Sequence, residues 1–203
     1  MLNVSSILPG SNVNGPGRRF VIWVQGCSLR CPQCINEKMQ SSRLNLIIPI
    51  SELYKLIIST PNIEGVTYSG GEPFEQAESL FALSLMLRNE SFTIMSYSGY
   101  TYQELIEKDN KSVSGLLSTL DILVDGRFEE INKAPLLWRG SRNQKIYFLT
   151  EKYRKFEKYK DCLGVNVEIT IGNNDLTFTG NLDSNLIPKL KQKLEENFGV
   201  ILK

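Results

Sequence analysis

The chain has 203 residues and is 41% hydrophobic, and its 23 Lys and Arg against 22 Asp and Glu leave a formal net charge of +1. The length fits one domain, or one domain with a small appendage, and the charge balance gives no reason to expect nucleic acid or an anionic membrane as a partner. No apolar run approaches the roughly eighteen residues of a membrane span, and Met1 to Gly10 lacks the features of a signal peptide, so the expected location is cytoplasmic. There is no histidine, which removes the commonest general base, the commonest zinc ligand and any Ser–His or Cys–His nucleophile pair.

In chain order, Ser11 to Arg19 is rich in Gly, Asn and Pro and reads as a loop, and Phe20 to Gln25 (FVIWVQ) as a buried strand. Apolar spacing predicts a helix over Pro49 to Thr60, with Ser51 as its N-cap. A strand over Gly65 to Tyr68 precedes a helix over Pro73 to Arg88, and a strand over Phe92 to Tyr97 precedes helices over Tyr102 to Lys108 and Ser112 to Leu120. Asp121 to Asp125 and Gln144 to Leu149 read as strands and Glu151 to Lys160 as a charged helix. Val167 to Ile171 and Leu176 to Thr179 alternate around Gly-Asn-Asn-Asp as a hairpin, and Leu186 to Phe198 is an amphipathic helix. Strand, loop and helix in repetition predict parallel βαβ units, with function at the C-terminal ends of the strands.

Three of the four cysteines form one cluster, Cys27-Ser-Leu-Arg-Cys31-Pro-Gln-Cys34, with the spacing C-x3-C-x2-C. A disulfide framework is unexpected in a chain of this size in a reducing compartment. Three thiolates on a short loop can hold three corners of a cubane iron–sulfur cluster and leave the fourth iron open to a substrate. A zinc site would need a fourth ligand from the remote Cys162 or a carboxylate, and a ferredoxin-like carrier would normally use four cysteines, so a non-catalytic iron–sulfur or zinc module stays a reading of the loop. Cys162 itself reads as a plain buried or partly buried thiol.

Ser69-Gly70-Gly71-Glu72-Pro73 follows a strand and precedes a helix, where glycines either let the backbone approach a ligand or make a simple turn. Asp125-Gly126-Arg127 ends another strand; a carboxylate beside a guanidinium can hold both ends of an amino acid, or form a surface ion pair. Trp138 to Arg142 reads either as a core tryptophan with a solvated basic turn or as a contact for a partner.

Together these segments resemble the activating enzymes of the class III (anaerobic) ribonucleotide reductases, within the radical S-adenosylmethionine superfamily. The likeness is carried by Val13 to Gly17, by Gly26 to Cys34 with Asn36, by Ser69 to Pro73, by Ser98-Gly99-Tyr100 with Glu104-Leu105, by Leu123 to Phe128, and by Leu137 to Ser141 with Asn143-Gln144. It runs from about residue 10 to about 150 and departs from the family at Ile35, where tyrosine is usual, at Gln33, where many members carry an aromatic residue, and in a tail of some fifty residues.

The resemblance implies an α/β fold, an incomplete parallel (β/α)6-type barrel over residues 1–150, with the C-terminal hairpin and helix of 151–203 packed on the same domain. It implies a [4Fe–4S] cluster on Cys27, Cys31 and Cys34, and S-adenosylmethionine as the molecule cleaved. Gly70, Gly71 and Glu72 are then expected at the methionine ammonium. Ser96, Asp125 and Arg127 are expected at the methionine carboxylate or ammonium or at the ribose, and Asn36 near the adenine or the cluster. The implied partners are a glycyl-radical enzyme, which Arg139 and Arg142 would contact, and an electron donor such as flavodoxin or ferredoxin. Radical modification of a small molecule or a peptide is the alternative activity.

Overall fold

The computed structural model describes residues 1–163, 167–171, 176–180 and 186–198. In chain order these form β1 (Leu2–Ser11), β2 (Arg19–Val24), β3 (Leu46–Ile48), α1 (Ile50–Ser59), β4 (Gly65–Gly70), a 3-10 turn (Pro73–Gln76), α2 (Ala77–Asn89), β5 (Thr93–Tyr97), α3 (Tyr102–Glu107), α4 (Lys111–Thr119) and β6 (Ile122–Asp125). After these come β7 (Lys133–Leu136), β8 (Arg139–Ser141), β9 (Lys145–Phe148), a 3-10 stretch (Glu151–Tyr159), β10 (Val167–Ile171), β11 (Leu176–Gly180) and α5 (Leu186–Phe198).

One seven-stranded sheet runs in the order β3-β1-β2-β4-β5-β6-β9. Its centre, β2-β4-β5-β6, is parallel, as the βαβ reading expects. The pairings β1–β2, β1–β3 and β6–β9 are antiparallel, so the sheet is not assembled from six β/α units. A parallel return needs a crossover of a dozen or more residues, usually a helix. Between β6 and β9 the chain instead makes the antiparallel ribbon β7–β8, and β9 comes back against β6. The strand β1 was hidden from a periodicity reading because its pairing with β2 shifts register between Val4 and Ser6 and between Pro9 and Ser11.

The period of two along each central strand divides the sheet into two faces. Phe20, Ile22 and Val24 of β2, Val66 and Tyr68 of β4, Ile94 of β5 and Leu123 of β6 pack with Leu53 and Ile57 of α1, Leu80, Leu83 and Leu87 of α2, and Leu105, Val113 and Leu116 of α3 and α4. The alternate residues Met95, Ile122, Val124 and Ile146 form a smaller cluster with Tyr153 on the other face.

Several helix ends differ from expectation. The first helix begins at Ile50 with Pro49, not Ser51, at the N-cap. A 3-10 turn opens the second because Gln76 turns away to bridge Asn3 and the Gln25 carbonyl. Thr101 and Glu104 make a reciprocal capping box on α3, and Asn110 caps α4 through the amides of Ser112 and Val113. The charged segment after residue 150 is a 3-10 stretch, not an α-helix. The hairpin β10–β11 pairs from Val167 opposite Gly180 to Ile171 opposite Leu176, as expected; its Gly-Asn-Asn-Asp turn at 172–175 lies outside the described residues.

Candidate functional site

The C-terminal ends of β2, β4, β5 and β6 lead into four loops that surround one cavity of about 400 Å³. From the first loop come Cys27, Cys31, Cys34 and Asn36; from the second, Gly70, Gly71 and Glu72; from the third, Ser98 and Gly99; from the fourth, Gly126, Arg127 and Phe128. Eight of the ten residues predicted for the site fall on that lining: Cys27, Cys31 and Cys34, with Asn36, Gly70, Gly71 and Glu72 beside them and Arg127 from the loop after β6. Placing ligand-binding groups at strand C-termini is the general rule for parallel sheets.

Backbone hydrogen bonds within the same segment hold the cysteine loop. The Gly26 amide donates to the Met39 carbonyl (2.8 Å), the Cys27 amide to Gln40 (3.2 Å) and the Glu37 amide to Cys34 (3.1 Å). Gln40 Nε2 reaches the Cys31 carbonyl at 3.3 Å, and Gln25 Nε2 the Ser41 carbonyl at 2.6 Å. The loop is bent tightly enough that Arg30 and Gln33 take left-handed backbone angles, φ +45° and +57°. All three cysteines are free and half-buried. Burial pushes the Cys27 and Cys31 thiols above their ordinary range, with the neighbouring Cys34 adding to the rise at Cys31.

The glycine pair is required by a close approach of two loops. A Cβ on Gly71 would lie 2.1 Å from the Gly26 carbonyl oxygen, and one on Gly70 would lie 2.5 Å from backbone atoms of Val24. The Gly71 amide donates to Val24 and the Glu72 amide to Gly26, both at 2.8 Å, so the turn after β4 is stitched to the start of the cysteine loop. Asn36 Nδ2 adds a bond to the Gly70 carbonyl at 3.3 Å.

Glu72 is buried at the cavity wall. Its carboxylate accepts from the Phe74 amide (3.0 Å), Ser98 Oγ (2.9 Å) and the Gly99 amide (2.7 Å), joining the loops after β4 and β5. Burial pushes its pKa up to about 7, against the pull of these donors.

Ser96 and Asp125 do not line the cavity, and the alternation of the strands gives the reason. Ser96 shares the parity of Ile94, and Asp125 that of Leu123, so both face the helical layer. Ser96 Oγ donates to the Tyr97 carbonyl at 3.0 Å. Asp125 accepts from the Tyr102 amide at the start of α3 (2.5 Å) and from the Lys145 amide at the start of β9 (3.2 Å), and no Asp125–Arg127 ion pair is present among the described residues. Arg139 is buried on the cavity lining, and its guanidinium bonds the carbonyls of Gln144 and Lys160 and the carboxylate of Asp161, so it is tied into the fold and not presented on a solvated turn. Arg142 is exposed, and so is Cys162, against the expected buried thiol.

Sequence reasoning missed Trp23, Tyr97 and Trp138, which also line the cavity. Trp23 and Tyr97 were open to a parity reading, being on the faces of Val21 and Met95. Trp138 was not, since it occupies a left-handed turn between β7 and β8 (φ +50°). Phe178, Thr179 and Gly180 of the hairpin line the cavity as well.

Residues 13–147 match the family model of the 4Fe-4S single cluster domain. This chain belongs to that family. Within it, the chain is similar to proteins called anaerobic ribonucleoside-triphosphate reductase-activating protein. The Salmonella typhi relative is 34% identical over 152 residues, 70% of this chain and 95% of the relative. The relative from Escherichia coli K12 is 31% identical over 159 residues, 73% and 99% of the two chains, and that of Enterobacteria phage T4 is 28% identical over 157 residues, 74% and 96%.

The residues present fit the family's cluster. Three free thiols face one cavity, and thiolate is the usual protein ligand of such clusters. Among the described residues no three His, Cys, Asp or Glu side chains converge as a single metal ion requires; a cubane instead takes one thiolate at each of three separate irons. No helix among the described residues is long and apolar enough to cross a membrane.

Proposed function

We propose that this chain is a radical S-adenosylmethionine enzyme that installs a glycyl radical on a partner resembling the anaerobic ribonucleotide reductase. The observation that carries the reading is the convergence of the three free cysteines and the Gly70-Gly71-Glu72 turn on one cavity, in a chain whose relatives are named as activators of that reductase. Held by Cys27, Cys31 and Cys34, a [4Fe–4S] cluster would supply one-electron reductive cleavage of S-adenosylmethionine, to methionine and a 5′-deoxyadenosyl radical able to take the Cα hydrogen of a glycine.

The chain's own residues bind, orient and screen. Cys27, Cys31 and Cys34 would hold the cluster through their thiolates, and the cavity beside them would take the methionine end of S-adenosylmethionine. Glu72, with the backbone of Gly70 and Gly71, receives the ammonium, and Arg127 a carboxylate. Asn36 steadies the turn from beneath and borders the adenine side. Ser96 and Asp125 act as positioning residues, Asp125 by fixing α3 and β9 next to Gly126 and Arg127. Trp23, Tyr97 and Trp138 give the cavity apolar walls that exclude water, which protects a radical from quenching. Hydrogen-atom abstraction needs no imidazole base, in keeping with a chain that has none. The electron donor in this reading is a flavodoxin or ferredoxin, and the setting is an anaerobic cytoplasm.

Radical modification of a small molecule is the second reading, favoured by one observation: the hairpin residues Phe178 to Gly180 border the cavity. Anaerobic incubation with S-adenosylmethionine, a reductant and the candidate reductase distinguishes the two. The activase reading expects 5′-deoxyadenosine and a glycyl-radical signal in electron paramagnetic resonance; product without any protein radical supports the small molecule.

A further inference from the structure

The shared family region ends at residue 147, and the relatives are covered over 95–99% of their own length by 70–74% of this chain. The hairpin β10–β11 lies beyond that region, yet Phe178, Thr179 and Gly180 border the same cavity as the cysteines. We infer that β10–β11 is a substrate-selecting wall of the cavity, against which the glycine-bearing segment of the partner protein packs beside Phe178. The inference rests on the activase reading and names a determinant of its substrate.

The hairpin is fastened to the body of the protein, as a selecting wall must be. Glu168 and Thr179 are directly opposite in register, so their side chains share a face. Glu168 accepts from Ser11 Oγ (2.5 Å) and from the Asn12 amide (3.2 Å), and Thr179 Oγ1 accepts from Asn14 Nδ2 (2.8 Å). Asn14 is tied inward: its carbonyl accepts from Thr67 Oγ1 at 2.7 Å, and Thr67 Oγ1 accepts from Arg19 Nε at 2.7 Å. A continuous set of hydrogen bonds thus runs from the hairpin through the 11–14 segment to the central strands β4 and β2.

The chemistry that the hairpin presents is apolar. The Thr179 hydroxyl is engaged by Asn14, and the next pair in the ladder, Ile169 opposite Phe178, belongs to the other face. Ile169 is 45% exposed. The Phe178 ring that borders the cavity suits the backbone and small side chains around a glycine, and carries no charge to fix a polar metabolite.

The test uses the full chain, reconstituted anaerobically with iron and sulfide, and two readouts: 5′-deoxyadenosine formed without a partner, and glycyl-radical yield as the partner concentration is raised. Glu168→Ala, which loosens the hairpin, is expected to keep uncoupled cleavage within about twofold of the parent while requiring about fivefold more partner for half-maximal radical. Glu168→Gln retains an acceptor for Ser11 and Asn12 and is expected to restore most of that affinity. Phe178→Ala is expected to raise the half-saturating partner concentration to a similar extent. The inference is overturned if neither alanine variant changes that concentration, or if Glu168→Ala loses cluster and uncoupled cleavage together, since the hairpin would then only support the fold. A parent protein that cleaves no S-adenosylmethionine is a different result, and overturns the activase reading and this inference with it.

Discussion

The two ends of the parallel strands each bury an ionisable group and treat it differently. At the N-terminal end, Arg19 is fully buried at the start of β2 and donates to Thr67 Oγ1, Thr93 Oγ1 and the carbonyls of Pro16, Val66 and Thr93. Every one of those acceptors is uncharged; burial lowers the guanidinium's pKa, and the nearest opposing influence is Tyr153. At the C-terminal end, Glu72 is equally buried but borders the cavity, and burial raises its pKa to about 7 against the pull of three donors. One end is a closed hydrogen-bonded plug that fixes the strands, and the other is a site whose charge can respond to what enters. The same parallel topology produces both, because loops at opposite ends of the strands are independent of one another.

The comparison breaks most readily at the cysteines. Cys31→Ala is expected to remove the cluster and to cut 5′-deoxyadenosine formation at least 100-fold, while Cys162→Ala leaves both unchanged; iron analysis and product chromatography check this. Retained cleavage in the Cys31 variant would refute the ligand assignment. Next comes Arg19→Ala, which strands five acceptors in the core and should destabilise the fold by on the order of 3 kcal/mol, read from urea unfolding. A loss of less than about 0.5 kcal/mol would mean that the plug contributes nothing.

Asp125 and Arg127 sharpen the contrast two residues apart. Asp125→Ala should lower stability by about 1.5–3 kcal/mol, because two backbone amides lose a charged acceptor. Arg127→Ala, at an exposed position on the cavity rim, should leave stability within about 0.5 kcal/mol and weaken S-adenosylmethionine binding roughly tenfold. Equal effects of both variants on both readouts would erase the distinction between a residue that positions and one that binds.

The smallest effect is a pH dependence. The Glu72 carboxyl has its folded pKa raised from 4.5 to about 7. Below pH 4.5 both folded and unfolded chains hold the proton. Between pH 4.5 and 7 the folded chain alone retains it, so this residue's contribution to stability is full at the acidic end, falls as pH rises through the window, and is constant above it. Unfolding midpoints of the cluster-free protein should therefore decline across that range more steeply than those of Glu72→Gln. Parallel profiles would return Glu72 to an ordinary carboxylate.

The sequence by itself determined the parts whose chemistry is local. Three cysteines within eight residues announce a metal-binding loop wherever the chain goes. The strand–helix alternation from Phe20 to Asp125 fixes parallel pairing at the centre of the sheet, and thereby the end at which the loops gather. Even the faces of Ser96 and Asp125 were within reach, because alternation along a strand is a property of the backbone. Tertiary structure alone decided the rest. That β9 returns antiparallel against β6 depends on the connecting chain folding as the β7–β8 ribbon and not as a crossover helix. That Arg139 is buried depends on where Lys160 and Asp161 pass, and that Phe178 borders the cysteine cavity depends on hydrogen bonds from Glu168 and Thr179 to residues more than 150 positions earlier. Such contacts leave no periodic trace in the sequence, since their partners meet only after the sheet has formed.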